Sequence, residues 1–531
     1  MNRVQLLFFL FLAGVASFGQ AKVRKMPNNI NHPAINVSVP YISFDGNSLV
    51  FISDYGEDNA LVMNYTTKID AVNWKDPVVM PKNVNSRLNF LKGFALSQDG
   101  KTLYITSLKS GGLGGYDIHS SMLAGTVWSE LKNFGMPINS NKHEGAPSLT
   151  ADGTTMYFMR CDQMDALKAS ACKLMMVKKK SNGLWDEPVE LPPFINTGNS
   201  QIPRIMGDGE TLIFSSDKFP ASKGGMDLYV TKWDGAQWSK PAALDFANTT
   251  SDDQYVSTTS LGRYLMKDAP GQRKNEIVEL LFPTDSKPKG MMKIEGKIIA
   301  ENPGAAYISV FDQKDQSRVF NGRPYTNGSF TLYLKEGDVY DLSVEPEKDN
   351  FTFFSKKFDL TGEKFAISGN EEITLKPLAS GDVIELNGLS FQPFSSELTA
   401  SSTQELRRLV RMIKGNPSYK FNIEVSLYGL LQDSLKSDPD LTEVIVDSVK
   451  IGVPFQVIDS LATPPTMKII TRDSIMVKHT YSNDRTPNQG LEILNYLVSQ
   501  GIAGSSLMLT HRSALEAILE NRKTVVKVIV R

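Results

Sequence analysis

INSNKHEGAPSLTADGTTMYFMRC (Ile138–Cys161) runs from a polar linker through an Asp-Gly pair into an apolar strand, and the same pattern returns along the first half of the chain. Asp-Gly pairs stand at Asp45–Gly46, Asp99–Gly100, Asp152–Gly153 and Asp208–Gly209, and Leu261–Gly262 takes that place in a fifth copy, at intervals of 54, 53, 56 and 53 residues. Each pair is followed by an apolar run: SLVFIS, KTLYITS, TTMYFMR, ETLIFSS and RYLMK. Asp-Gly between alternating apolar residues predicts a hairpin whose two turn residues both take positive φ. Trp74, Trp128, Trp185 and Trp238 keep the same beat. A repeat of this length holds about four strands, and one such sheet cannot cover both its faces without its neighbours. Five copies predict a five-bladed propeller over residues 20–284, with the segment Ile30–Val37 as candidate closing strand and a sixth, degenerate blade left open.

Composition sets the frame for the remainder of the 531 residues, of which 41% are hydrophobic and 22% charged, as in ordinary globular protein. A formal net charge of −1 gives no basic footprint for nucleic acid. Residues 1–19 carry Arg3, an apolar core from Val4 to Val15 and small residues at Ser17 and Gly19, which predicts a secretory signal peptide cleaved before Gln20. No cysteine follows it, so a lipid anchor is not expected, and no later run is apolar enough to predict a transmembrane segment in the mature chain.

The cysteines, Cys161 and Cys172, flank the segment DQMDALKASA between two strand-like runs. In an exported protein a disulfide is the simplest reading, and two buried thiols remain the alternative. A metal site is not expected, because His or Cys partners are lacking nearby, and no cofactor is predicted. Asp45, Asp99, Asp152 and Asp208 are read as turn residues rather than calcium ligands. There is no Gly-x-Ser-x-Gly or His-Glu-x-x-His motif, and His32, His119, His143, His479 and His511 stand isolated, so no catalytic residue is assigned and no enzyme is expected. Asn139, Glu144, Asn196, Gln201, Asn248 and Asp253 recur in the linkers. They either hold the linkers by bonds to the backbone or present a polar surface.

A linker with two prolines, Phe282–Gly290, leads to short alternating strands over residues 288–378, the pattern of a small β-sandwich. Residues 380–531 then mix strands and helices. Leu386, Leu389, Phe391 and Phe394 predict a strand bent at Pro393. Ser402 and Glu405 predict a capping box for a helix with Leu406, Leu409, Val410 and Ile413 inside, Arg407, Arg408 and Arg411 in water, and a stop at Gly415–Pro417. Phe421–Leu430 predicts a second strand. Thr486, Pro487 and Gly501 bound a second helix whose apolar face is Leu491, Leu494, Leu497 and Val498, and Glu520–Arg531 predicts a polar turn and a last strand. Between second strand and second helix lies an insertion, residues 431–482, whose runs TEVIVDSVKI and MKIITRDSIMVKHTY predict a hairpin around Ala462–Pro465.

These pieces resemble known families. GGLGGYDIHSS (Gly111–Ser121), GGMDLYVTKWDG (Gly224–Gly235) and the two linkers before Gly153 and Gly209 are similar to the PD40 or TolB-like propeller family. EGKIIA, YISVFD and TNGSFTLYLKEGDVYDLSVE resemble the carboxypeptidase-regulatory-like, transthyretin-like sandwich, which implies a spacer or binding module. The strand–helix opening at Leu386–Pro417, Tyr496–Leu497, Gly501–Ile502 and Asn521–Arg522 resemble the α+β OmpA-like domain. In that family an aspartate of a Gly-His-Thr-Asp tetrad and an arginine of the following helix clamp the zwitterionic end of the peptidoglycan stem peptide. This chain has SLYGL (Ser426–Leu430) at the first place and Gln489 at the second, so both charges are replaced. Asp433 or Asp438 and Arg485 are the nearby substitutes, and with Asn521 and Arg522 they form the candidate peptidoglycan-binding set.

The order of modules resembles multidomain OmpA-family periplasmic proteins of Bacteroidetes. The peptidoglycan-associated component of the type IX secretion system is one of these, though this chain lacks its tetratricopeptide region. The resemblance implies a mainly β periplasmic scaffold at the outer membrane or cell wall, with envelope or secretion-machinery proteins as partners. Direct peptidoglycan anchoring through a rebuilt clamp is the alternative, and a propeller hydrolase a third reading.

Overall fold

The repeat's turn is built differently from the two-residue form expected above. Gly46, Gly100, Gly153, Gly209 and Gly262 all have positive φ, between 60° and 73°, while the residue before each does not. Gly46 N–H donates to Ser43 O (2.9 Å), and Asp45 Oδ1 accepts from Ser43 Oγ (2.6 Å) and from Asn47 N (2.9 Å). Ser97–Asp99 and Thr150–Asp152 repeat the pairing. The aspartate thus shapes a longer loop with its side chain, and only glycine occupies the left-handed position.

The computed structural model describes residues 23–531 except 86–88, 109–110, 166–167, 220–221, 272–273, 363–364, 393–394, 429–442, 460, 483–484 and 513–522. The predicted signal peptide, Pro393, Phe394, Asp433, Asp438, Asn521 and Arg522 lie outside the described residues. The chain divides into two compact units, with the boundary between Met292 and Lys293.

In the first unit the described residues form five antiparallel sheets of at least four strands, and the first four follow the chain in order. Their inner strands are Val37–Ile42, Asn89–Leu96, His143–Leu149, Gln201–Ile205 and Val256–Ser257. The fifth sheet is completed by Val23–Lys25, which pairs with Asn275–Leu281. This corrects the candidate closing strand at Ile30–Val37, where Ile30 is instead buried in the core and Val37 opens the first inner strand. Each sheet packs on the next through an apolar layer: Val50 and Ile52 with Phe94 and Ile105, Ile118 with Phe158, Met159 with Phe214, and Leu228 with Leu265. Met266 and Ile277 of the fifth sheet pack on Leu49 and Phe51 of the first, so the ring closes. Closure covers both faces of every sheet, as the repeat required.

An asparagine fastens each linker. Asn139 accepts from Ile118 N and donates to Ile118 O, both at 2.9 Å. Asn196 does the same to Leu174 and Asn248 to Leu228. Asn31 on Ile277 and Asn85 on Met63 complete the set, and the sequence reading had passed over both. Glu144 binds Ser140 N and Arg160 Nε, Gln201 donates to Ala169 O, and Asp253 pairs with buried Lys267. The linker residues therefore satisfy backbone and buried charge.

Cys161 and Cys172 are direct partners across a ladder that runs on to Met164 and Ala169, and their sulfurs are bonded. The hairpin loop is thus shorter than the segment 162–171, and the bridge sits inside the sheet. Closing so short a loop restricts the unfolded chain by about 2–3 kcal/mol. Denaturant unfolding of Cys161→Ser/Cys172→Ser is expected to show a loss of that size, and unchanged stability would contradict it.

The second unit begins with two sheets. One orders Ser329–Lys335, Met291–Ile299 and Ser368–Thr374, and the other Arg318–Gly322, Tyr307–Asp312, Val339–Glu345 and Phe354–Asp359. Ile294, Ile298, Val310, Leu332 and Leu342 are buried in it, and a Cβ on Gly296 would lie 1.9 Å from the Phe330 ring. The last part of the chain forms a four-stranded sheet ordered Val383–Glu385, Lys523–Val530, Phe421–Tyr428 and Leu507–Arg512, with helices α1 (Ser402–Gly415) and α2 (Thr486–Ser499). The first strand precedes the predicted Leu386–Phe394 run, which is loop up to Phe391, and Leu507–Arg512 was not foreseen. Phe353 and Leu378 share one core with Leu406, Leu409, Phe421, Ile493 and Val528, so sandwich and last domain are one compact body.

Two expectations for α1 are corrected. The residue before the helix, Ser401, makes no side-chain cap bond, and Ser402 Oγ instead donates to Ser390 O (2.8 Å) and accepts from Ser390 N (2.9 Å). Arg408 is not in water: its guanidinium is buried against Glu405 (2.7 Å), Asp341 (3.1 Å) and Glu345 (3.2 Å). Glu405 also accepts from Ser355 Oγ, and Arg411 reaches Glu345 from the surface. The sandwich supplies carboxylates to a helix that a sequence pattern sees alone.

Candidate functional site

The clamp positions of the last domain lie at the start of α2. Gln489 is buried and accepts from Thr524 Oγ1 at 3.5 Å, and Gly490 is pressed so closely on the neighbouring strand that a Cβ would meet Leu509 at 2.4 Å. The buried face of α2 is Thr486, Gln489, Gly490, Ile493 and Leu497; of the face predicted above, Leu497 is buried and Leu494 packs against the core, whereas Leu491 and Val498 are exposed. Arg485, just before the helix, is 2% exposed and donates through Nη1 to Ser395 O at 3.1 Å. The structure therefore brings Arg485 and Gln489 to one helix start, with both side chains turned inward. The other candidates, Asp433, Asn521 and Arg522, are outside the described residues.

The insertion presents a different surface. Glu443–Asp459 and Thr466–Ser482 form one antiparallel hairpin of 17 residues per strand, and among the described residues it pairs with no third strand. At about 3.3 Å per residue it extends about 56 Å. The first strand runs past the predicted end at Ile451, through Gly452 and Pro454, to Asp459. Proline is tolerated because each strand of a two-stranded sheet is an edge, where one side of the backbone needs no partner.

Strand alternation places Val449, Ile451, Val453, Phe455 and Val457 on one face of this arm, and Ile458, Met467, Ile469, Ile475 and Val477 on the other. They are not core residues: Ile458 is 68% exposed, Ile469 64% and Ile475 65%. Lys450, Lys468, Asp473 and Arg472, whose guanidinium lies 4.8 Å from the Phe455 ring, are interspersed. A lone hairpin is marginal in water, and contiguous apolar rows exposed on both faces are rare on the surface of a monomer. The alternation was legible in the sequence. Its exposure was not, because a run such as IGVPF reads equally as a buried strand.

At the ring axis the inner strands bulge at one repeat position. Val39, Gly93, Ala146 and Ile202 have φ of 51°, 96°, 47° and 47°, and the pairing register shifts beside each. Such φ values are uncommon outside glycine, above all for Val and Ile, and a bulge locally disrupts the ladder and bends the strand. Burial raises the Tyr255 phenol there to about 12. Among the described residues no three His, Cys, Asp or Glu side chains gather where a metal ion could sit, and no helix is long and apolar enough to cross a membrane.

Fold and site together define a mainly β protein of the propeller class with a second, mixed unit. No family model matches the chain, and no curated protein matches it. Among solved structures it is similar to a putative TolB from Agrobacterium tumefaciens (12% identity, 56% of this chain and 90% of that one, TM-score 0.29). It is also similar to TolB from Acinetobacter baumannii (15%, 56% and 65%, TM-score 0.29) and to an endo-arabinase from Bacteroides thetaiotaomicron VPI-5482 (14%, 50% and 99%, TM-score 0.34). The chain spans under two thirds of the Acinetobacter protein. The neighbours thus mix TolB proteins with glycan-cleaving enzymes, and the ring itself rests on its own strand pairing and interfaces.

Proposed function

We propose that this chain is a non-enzymatic periplasmic scaffold, with a five-bladed propeller, a transthyretin-like sandwich and an OmpA-like framework, that holds envelope or secretion-machinery proteins near the outer membrane or cell wall. The arm at Glu443–Ser482 carries this reading, because apolar side chains on both faces call for a protein partner. The apolar N-terminal stretch supports export, and the fused sandwich and last domain provide a rigid base for the arm. Crosslinking and pull-down from envelope fractions with the full chain tests it: recovery of no protein partner would remove the reading.

Direct peptidoglycan anchoring is the second reading, favoured by the surviving sheet-and-helix framework. With Arg485 turned inward and glutamine at the arginine position, the purified chain is expected to stay in solution when intact sacculi are sedimented. Sedimentation with sacculi that is lost in Arg485→Ala would establish a rebuilt clamp instead.

A further inference from the structure

The same repeat position on the five inner strands holds Tyr41, Ala95, Ser148, Arg204 and Ser257. Arg204 is the only charge at this level, and it is 3% exposed. Nη1 donates to Pro147 O at 3.0 Å and Nη2 to Phe94 O at 2.8 Å, so one side chain ties three sheets together. Its guanidinium lies 5.0 Å from the centre of the Tyr41 ring. These partners are neutral. Among the described residues no carboxylate lies within ion-pair distance of Arg204, and its buried Nε has no hydrogen-bond partner. A buried cation without a counter-charge is costly, and carbonyl dipoles and an aromatic face offset only part of that cost.

Arg204 also lines a cavity of about 30 Å³, together with Tyr41, Leu96, Gln98, Ser257 and Thr258 among others. That is room for a single small species. A water molecule there would leave the charge unanswered, and a monatomic anion is the smallest species that answers it. We propose that the ring axis is a binding site for a monatomic anion, chloride in the periplasm, held by Arg204. The anion neutralises the cation and thereby fixes the sheets that Arg204 joins.

Thermal unfolding of the full chain at constant ionic strength, with sodium chloride exchanged for sodium gluconate, tests the site. Chloride at about ten times its dissociation constant is expected to raise the midpoint of the ring's transition by about 2–4 °C. Bromide should reproduce the effect and give an anomalous diffraction peak beside Arg204. The Arg204→Gln variant should lose the chloride dependence. Equal midpoints in chloride and gluconate, or a bromide-soaked crystal with no peak at Arg204, would overturn the proposal even if the variant failed to fold.

Discussion

Replacing Arg408 with methionine is expected to lower the stability of the second unit by about 3–5 kcal/mol, the usual consequence of removing one partner from a buried ion pair. Glu405, Asp341 and Glu345 converge on this guanidinium, and the first two are nearly inaccessible to water. Burial already raises the Glu405 carboxyl above its ordinary 4.5, with Arg408 acting in the opposite direction. Without Arg408 only the hydrogen bond from Ser355 opposes the rise. A carboxyl with a raised folded pKa binds more protons in the folded state, so folding is favoured below the unfolded pKa and that advantage is lost as pH climbs through the folded one. The deficit of Arg408→Met should therefore shrink as pH is lowered toward 4.5. Adding Glu405→Gln should recover part of it at neutral pH. Denaturant unfolding over this pH range reads both, and a pH-independent deficit would mean that lost packing, rather than stranded charge, is responsible.

The second large effect concerns the arm. Phe455 and Ile475 lie on opposite faces, both exposed, so the paired substitution Phe455→Lys/Ile475→Lys should change stability by no more than about 0.5 kcal/mol. If both faces are covered by a partner, burying two added charges should weaken capture of that partner by about 100-fold or more. Quantitative pull-down, with folding checked by circular dichroism, separates the two. Unaltered capture would place the contact elsewhere.

What could be read in advance follows physical range. The repeat was legible because turn chemistry is local: Asp-Gly and the apolar run after it stand a few residues apart. The asparagine clasp on the linkers at Asn139, Asn196 and Asn248 was half legible, since those residues recur in alignable linkers. Asn31 was hidden because it fastens Ile277, some 246 residues later in the chain, whereas Asn85 acts over 22 residues on Met63, a range like that of Asn139, and was open to the same reading. The closing strand Val23–Lys25 was hidden for the same reason, being three residues whose partner is at the far end of the ring. Arg408 was misread because helical periodicity knows the helix and not the sandwich that packs on it. In the last domain the framework was evident and its boundaries were not: the run from Leu386 has the composition of a strand, but it leaves the sheet after Leu386 N–H meets Val526 O, and Ser390 bonds to Ser402 at the start of α1.

Glu443–Ser482 remains the feature on which the functional reading turns. Two long strands with no third partner among the described residues, no apolar cover and alternating side chains on both faces do not form a stable end-point on their own. The direct measurement is site-specific photo-crosslinking in cells, with a photoreactive residue at Ile469 in the full chain and, as control, at Tyr325, an equally exposed residue of the sandwich. Discrete protein adducts at Ile469 that are absent at Tyr325 and vanish in Phe455→Lys/Ile475→Lys are the expected result. Adduct patterns that do not differ between Ile469 and Tyr325 would contradict a docking role for the arm and, with it, the scaffold.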